Sequence, residues 1–243
     1  MKKTIKMFSF SLAAVAIGML LFSCGQGNSN SQEAEKEDLA ASISTDGLLK
    51  EWPKLIYEAE VYKAQVKKKE QEIRESGEKE EKIRQQLEIT WREEKEFKDA
   101  NISHQKEVRK QLEGVEIPGE VEEGVPFKLT SNYVFHLNSL RAEGEYTANV
   151  SEEESYSDYM LEVLDTDGNI IYVSEQVFFT EDGRKRLAGT KGYSPVTPSI
   201  NGSNAEGWAK VAKVVIKRGT KQERDELKEQ LREKLDAFRQ SLK

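Results

Sequence analysis

Residues 50–113 read KEWPKLIYEAEVYKAQVKKKEQEIRESGEKEEKIRQQLEITWREEKEFKDANISHQKEVRKQLE, and this stretch sets the expected fold. Counted in heptads from Trp52, the first seam position holds Trp52, Ala59, Val66, Ile73, Glu80, Leu87, Glu94, Asn101 and Val108. The second holds Leu55, Tyr62, Lys69, Ser76, Ile83, Thr90, Phe97, His104 and Gln111. Apolar residues dominate the first row and make up about half of the second, while charged and amide residues fill the positions between. That is a coiled-coil pattern. Acid precedes base at i,i+4 in Glu70–Arg74, Glu75–Lys79, Glu78–Lys82, Glu80–Arg84, Glu88–Arg92 and Glu94–Lys98. Each such pair adds roughly 0.2–0.5 kcal/mol to a helix. No proline interrupts the run between Pro53 and Pro118. Ser76-Gly77 falls where the seam is poorest. Two arrangements remain open: one helix of about 90 Å, or an αα-hairpin turning at Ser76-Gly77.

The chain outside this stretch is acidic. The whole chain has 37 Lys+Arg, 44 Asp+Glu and a formal net charge of −7, whereas residues 50–113 are balanced. A nucleic-acid partner requires a basic face and is not expected. Aromatic residues make up 8% of the chain, enough for a modest core. Cys24 is the only cysteine, so no internal disulfide is possible.

At the N-terminus, Lys2, Lys3 and Lys6 precede an apolar run from Met7 to Phe22. This is the pattern of a secretory signal peptide, and the run is short for a membrane span. Its end, Leu21-Phe22-Ser23-Cys24, resembles the lipobox of bacterial lipoproteins. Leu21, Ser23 and Cys24 match that pattern, and Phe22 stands where the family usually has a small or β-branched residue. The resemblance implies cleavage before Cys24 and acylation of its sulfur and new amino group, as with palmitate. It covers the leader alone. Residues 25–46 are Gly, Ser, Asn, Gln and acid, the composition of a tether.

Beyond Glu113 the pattern changes to period two. Residues 127–130, 133–137, 146–150, 159–164, 170–173, 177–179 and 209–216 read as strands. Their spacing predicts a small β-sandwich. Asp165 to Asn169 reads as a hairpin turn and Gly189 to Gly207 as a long loop. Leu227, Leu231, Leu235, Phe238 and Leu242 form one apolar stripe on a terminal helix. That helix is expected to run back along Leu87 to Leu112. The expected fold class is α+β, divided as signal peptide 1–23, lipidated cysteine and tether 24–47, helical segment 48–113, sandwich 114–219 and terminal helix 220–243.

Candidate chemistry is sparse. His104 and His136 have no second ligand at helix or strand spacing, so no metal site is expected. Asp165, Asp167 and Asn169 open like a calcium loop, but Gln176 stands where its bidentate glutamate belongs. No G-x-S-x-G nucleophile elbow and no phosphate-binding glycine loop occurs. No catalytic residue and no cofactor is expected. Tyr156, Tyr193 and Trp208 lie in or beside loops, where aromatic rings can contact a glycan or a protein partner; core packing accounts for them equally well.

The function expected from these features is that of a non-enzymatic, lipid-anchored protein of the bacterial cell envelope. It would face the periplasm or the surface, with the outer membrane favoured over the inner. Its partners would be the membrane, through Cys24, and a protein or a second copy, through the helices. The alternatives are a glycan-binding lipoprotein using the loop aromatics and, less favoured, an enzyme acting on envelope polymers through paired carboxylates.

Overall fold

A computed structural model describes residues 43–151, 153–154, 158–175, 177–180 and 186–243. The signal sequence, Cys24 and most of the tether lie outside the described residues.

The helical stretch forms two helices, α1 (Trp52–Glu75) and α2 (Glu80–Gln111). The break falls at the weak point of the seam. Ser76 Oγ donates to the Ile73 carbonyl at 2.8 Å, and Gly77 takes a φ of +69°, which costs glycine nothing. Contacts between the helices run in opposite senses. Lys69 pairs with Glu93 at 3.1 Å, the Tyr62 and Phe97 rings stack at 3.9 Å, and Asn101 Nδ2 donates to the Leu55 carbonyl at 3.0 Å. The seam therefore closes within the chain, burying Trp52, Leu55, Val66, Leu87, Thr90, Asn101 and Val108.

Among the described residues ten strands follow: β1 (Glu116–Ile117), β2 (Gly119–Val121), β3 (Phe127–Leu129), β4 (Tyr133–His136), β5 (Ser139–Tyr146), β6 (Tyr159–Asp165), β7 (Ile170–Ser174), β8 (Phe179–Thr180), β9 (Lys191–Val196) and β10 (Val211–Arg218). One sheet runs β1-β4-β5-β9-β8, with β3 also on β5; the other runs β2-β10-β6-β7. All pairings are antiparallel except β2 with β10. Pro118 separates β1 in one sheet from β2 in the other, and its carbonyl accepts from Val214 N at 2.9 Å. Both sheets contribute to one core. Phe127, Tyr133, Phe135, Leu140 and Tyr146 come from the first, and Tyr159, Leu161, Val163, Val214 and Ile216 from the second. Leu49, Trp52, Leu55, Val108 and Leu112 root the base of the helical pair in the same core. The fold is mixed α+β, as expected.

Several strand assignments change: β1 and β2 lie before the first expected strand, and the strand expected at 177–179 is β8, which begins at Phe179. The expected strand 146–150 is replaced by β5, which ends where that strand was expected to begin. Its inward residues Leu140, Ala142, Gly144 and Tyr146 alternate with charge, but two of the four are too small to mark a strand by sequence. The expected loop 189–207 contains β9 and a short helix, α3 (Ala205–Ala209). Pro195 is tolerated because β8 pairs only with Gly192 and Tyr193 and stops short of it.

The terminal helix α4 (Lys221–Ser241) starts at a capping box: Glu223 N donates to Thr220 Oγ1 at 3.2 Å and Thr220 N to Glu223 Oε2 at 2.7 Å. Buried Arg224 donates Nη1 to the carbonyls of Tyr159 at 3.0 Å and Gly219 at 3.3 Å, fixing the helix to β6. Its course differs from the expected one. It lies against β7, and Phe238 reaches Tyr57 on α1 at 5.6 Å, not the surface from Leu87 to Leu112. That seam is already covered by α1. The terminal stripe uses a second face of α1 instead, where Tyr57 and Val61 pack with Ile43, Ala205 and Ala209. Gly202 lets the Phe238 ring approach, since a Cβ there would lie 2.1 Å from it. Replacing Thr220 by Ala removes one half of the capping box. It is expected to cost about 1 kcal/mol, read as a lower midpoint in urea with an unchanged slope.

Candidate functional site

The three expected contact aromatics do not form one surface. Trp208 sits on α3 with no accessible area, inside the main core and 6.3 Å from the Tyr172 ring. This corrects its assignment as a ligand or partner contact. The short helix turns the indole inward, a feature hidden by the Gly, Ser and Asn residues around it. Tyr156 and Cys24 lie outside the described residues.

Tyr193 is half-buried on the outward face of the first sheet. In register with it are Glu143 on β5 and Phe179 on β8. The Arg141 guanidinium lies 3.9 Å from the ring centroid, and Phe179 stacks at 5.7 Å. Arg141 Nε also donates to Glu143 Oε1 at 2.9 Å. A ligand stacking on Tyr193 would have to displace this cation, which itself contributes about 0.5–1 kcal/mol at an exposed site.

The loop from Asp165 to Asn169 is a hairpin turn, as its sequence predicts. Asp165 Oδ1 accepts from Asp167 N at 3.0 Å and Asn169 N at 2.8 Å, while Oδ2 accepts from Asn169 Nδ2 at 3.0 Å. Gly168 takes a φ of +80°. The carboxylate is committed to the turn. Among the described residues, no group of three or more His, Cys, Asp or Glu is placed to hold a metal ion.

Both histidines sit near the root of the helical pair, each beside a glutamate. His104 Nε2 lies 3.0 Å from Oε1 of Glu51, the residue before α1, and His136 Nδ1 contacts Glu113. The hydrogen bond from His136 holds the Glu113 carboxyl below its usual range, helped by Leu137 N. Both pairs are partly exposed to water. They tie the helices to adjoining segments.

The most strongly perturbed titrating groups are phenols within the core. Burial pushes Tyr159 up to about 12, and its hydrogen bond to Glu154 Oε1 at 2.9 Å adds to the effect; Arg218 opposes it. Burial also raises Tyr133, whose hydroxyl bonds Ser194 Oγ at 2.7 Å. These are structural phenols without solvent access. The balanced charge of residues 50–113 hides a local cluster of cations on α1, Lys63, Lys67 and Lys68. Their i, i+4, i+5 spacing was the available signal.

Comparison with protein-family models, curated proteins and solved structures gives no match.

The phenols make stability pH-dependent in one direction. Unfolded tyrosines lose their protons near pH 10, whereas Tyr159 holds its proton to about 12. Over that window the unfolded state binds fewer protons, so stability falls as pH rises. Denaturant midpoints measured across this range should drop, and phenolate absorbance should show a tyrosine fraction that ionises only on unfolding.

Proposed function

We propose that this chain is a lipid-anchored protein of the bacterial cell envelope with a non-enzymatic, protein-interaction or structural role. The observation that carries the reading is Leu21-Phe22-Ser23-Cys24 at the end of an apolar run with a basic start. The sole cysteine stands where acylation would occur. Acyl chains at one terminus give stable attachment when more than one is present. No helix of the described residues is long and apolar enough to cross a membrane.

In this reading, residues 25–42 tether a body of two sheets, packed as a β-sandwich, from which the α1–α2 pair projects as a short stalk. The outer membrane is the favoured site. The helices are the favoured contact surface. Trp91 and Ile102 on α2 are 44% and 40% exposed, and eleven residues is close to three helical turns, so they share a face. Exposed large apolar side chains on one face of an otherwise charged helix suit a protein contact. The glycan-binding alternative loses support from the burial of Trp208 and from Arg141 over Tyr193.

Replacing Cys24 by Ser should abolish incorporation of radiolabelled palmitate and move the chain out of the membrane fraction. Label that persists in this variant would refute the anchor. Replacing Trp91 and Ile102 together by Glu should leave thermal stability within about 0.5 kcal/mol, as for surface sites, yet remove crosslinks to partner proteins or to a second copy in intact cells. Unchanged crosslinks would move the contact surface off α2.

A further inference from the structure

Where the end of α4 crosses α1, the two helices leave a groove of about 600 Å³. On α1 it is lined by Lys63, Lys67 and Lys68, and at the end of α4 by Arg239 and Lys243. Half-buried Ala64 and Leu242 supply apolar wall. Lys63 and Lys67, at i and i+4, are neighbours on the helix surface, and Lys68 lines the groove from the other edge of the same helix. On a chain of net charge −7, this concentration of cations is a local reversal.

Among the described residues, lysines without an ion pair are common, Lys50, Lys106 and Lys110 being examples, and the groove differs in bringing several cations to one place. Lys69, Lys210, Lys213, Lys217 and Lys228 are each paired with a carboxylate. Lys63, Lys67 and Lys68 have no ion pair with a carboxylate among the described residues, and Arg239 reaches Asp236 only at 4.0 Å. Glu60 is the acidic side chain lining the groove, and its Oε2 is engaged by Gly202 N at 3.1 Å. The C-terminal end of α4 contributes about half a negative charge, too little, even with Glu60, to offset the five cationic side chains.

We propose that this groove binds an anion carrying two or more phosphate groups. Lysine ammonium groups act on phosphate as point charges, and arginine adds a planar fork. Side chains at i,i+4 start about 5–6 Å apart, a spacing that lets neighbouring phosphates meet separate lysines. Each phosphate brings up to about two negative charges, so two offset the excess of five cationic side chains over Glu60 in a small volume. Carboxylates carry one each and would have to crowd to do the same. Ala64 and Leu242 would contact the organic part of such a ligand. A phospholipid headgroup and a soluble polyphosphorylated compound share this chemistry. The site stands on the groove's geometry and does not depend on the lipid anchor.

The test is calorimetric titration of the full chain, in neutral detergent, with inorganic tripolyphosphate at low salt. Wild type should bind saturably, and added salt should weaken binding. The triple variant Lys63→Gln, Lys67→Gln, Lys68→Gln should weaken it about tenfold or more. Lys106→Gln with Lys110→Gln, exposed on α2 away from the groove, should not. Far-UV circular dichroism checks that both variants fold. Absence of saturation, equal loss in both variants, or tighter binding of polyglutamate than of tripolyphosphate would overturn the proposal. The source of the phosphate is read with the Cys24→Ser chain and vesicles of phosphatidylcholine and phosphatidylglycerol. Co-sedimentation that the triple substitution removes supports a headgroup. Tripolyphosphate binding without vesicle binding supports a soluble ligand.

Discussion

The edge of Trp52 against Phe135, at 5.7 Å, is the contact through which the two halves of this protein become one. Trp52 opens α1 and Phe135 lies in β4. Around them Leu49, Leu112 and Ile117 have no accessible surface. A helical pair this charged gains little from its own propensity and depends on burial for its stability. It obtains that burial at its base. Fully burying a large apolar side chain contributes roughly 1.5–3 kcal/mol, whereas an exposed ion pair such as Lys69–Glu93 contributes about 0–1 kcal/mol. Arg109 covers the outer side of Trp52, 5.8 Å from the ring, and donates to Asn138 at 3.0 Å.

The same logic explains the terminal helix. Once α2 covers the seam of α1, the apolar residues left on α1 are Tyr57 and Val61, on a different face. They need cover, and so does the stripe of α4. Arg224 and the capping box aim α4 along β7 at the start, and Phe238 meets Tyr57 near the end. The long separation in sequence between residues 57 and 238 is closed by a small second cluster that also takes Ile43, Ala205 and Ala209.

Much of the local structure was legible because it follows from periodicity. The helical stretch, the turn at Asp165–Asn169, the strands at Tyr133, Tyr159, Ile170 and Val211, and the terminal helix each carry a strong local signal. Ser76-Gly77 was readable as the possible break, but local propensity alone could not choose between break and continuation; the choice rests on whether α1 and α2 can bury one seam together. The misses have the opposite character. β5 hides its inward face behind Ala142 and Gly144, and β9 contains Gly192 and Pro195, residues that argue against a strand until the partner strands are known. Gly192 is needed there, since a Cβ would lie 1.9 Å from the Phe179 carbonyl. Trp208 looked like a loop aromatic because its burial depends on elements far away in sequence. The lysine cluster of α1 does not show in a count of charges, which averages over the whole helix, and it becomes one wall of a groove only once the end of α4 lies across it.

The helical pair is rooted at one end only. Beyond Val66 on α1 and before Leu87 on α2, no described side chain is buried. Trp91 to Glu70, Gln86 to Glu78 and Lys69 to Glu93 hold this region with polar contacts in water. Resistance to opening therefore grades along the hairpin, from nearly solvent-controlled at Gly77 to fully core-controlled at Trp52. The outer turns can part and re-form on their own while the sheets stay intact, because local openings follow local burial. The protein thus joins a stiff body to a compliant tip, and a load applied at the tip would separate the outer turns long before it disturbed the core.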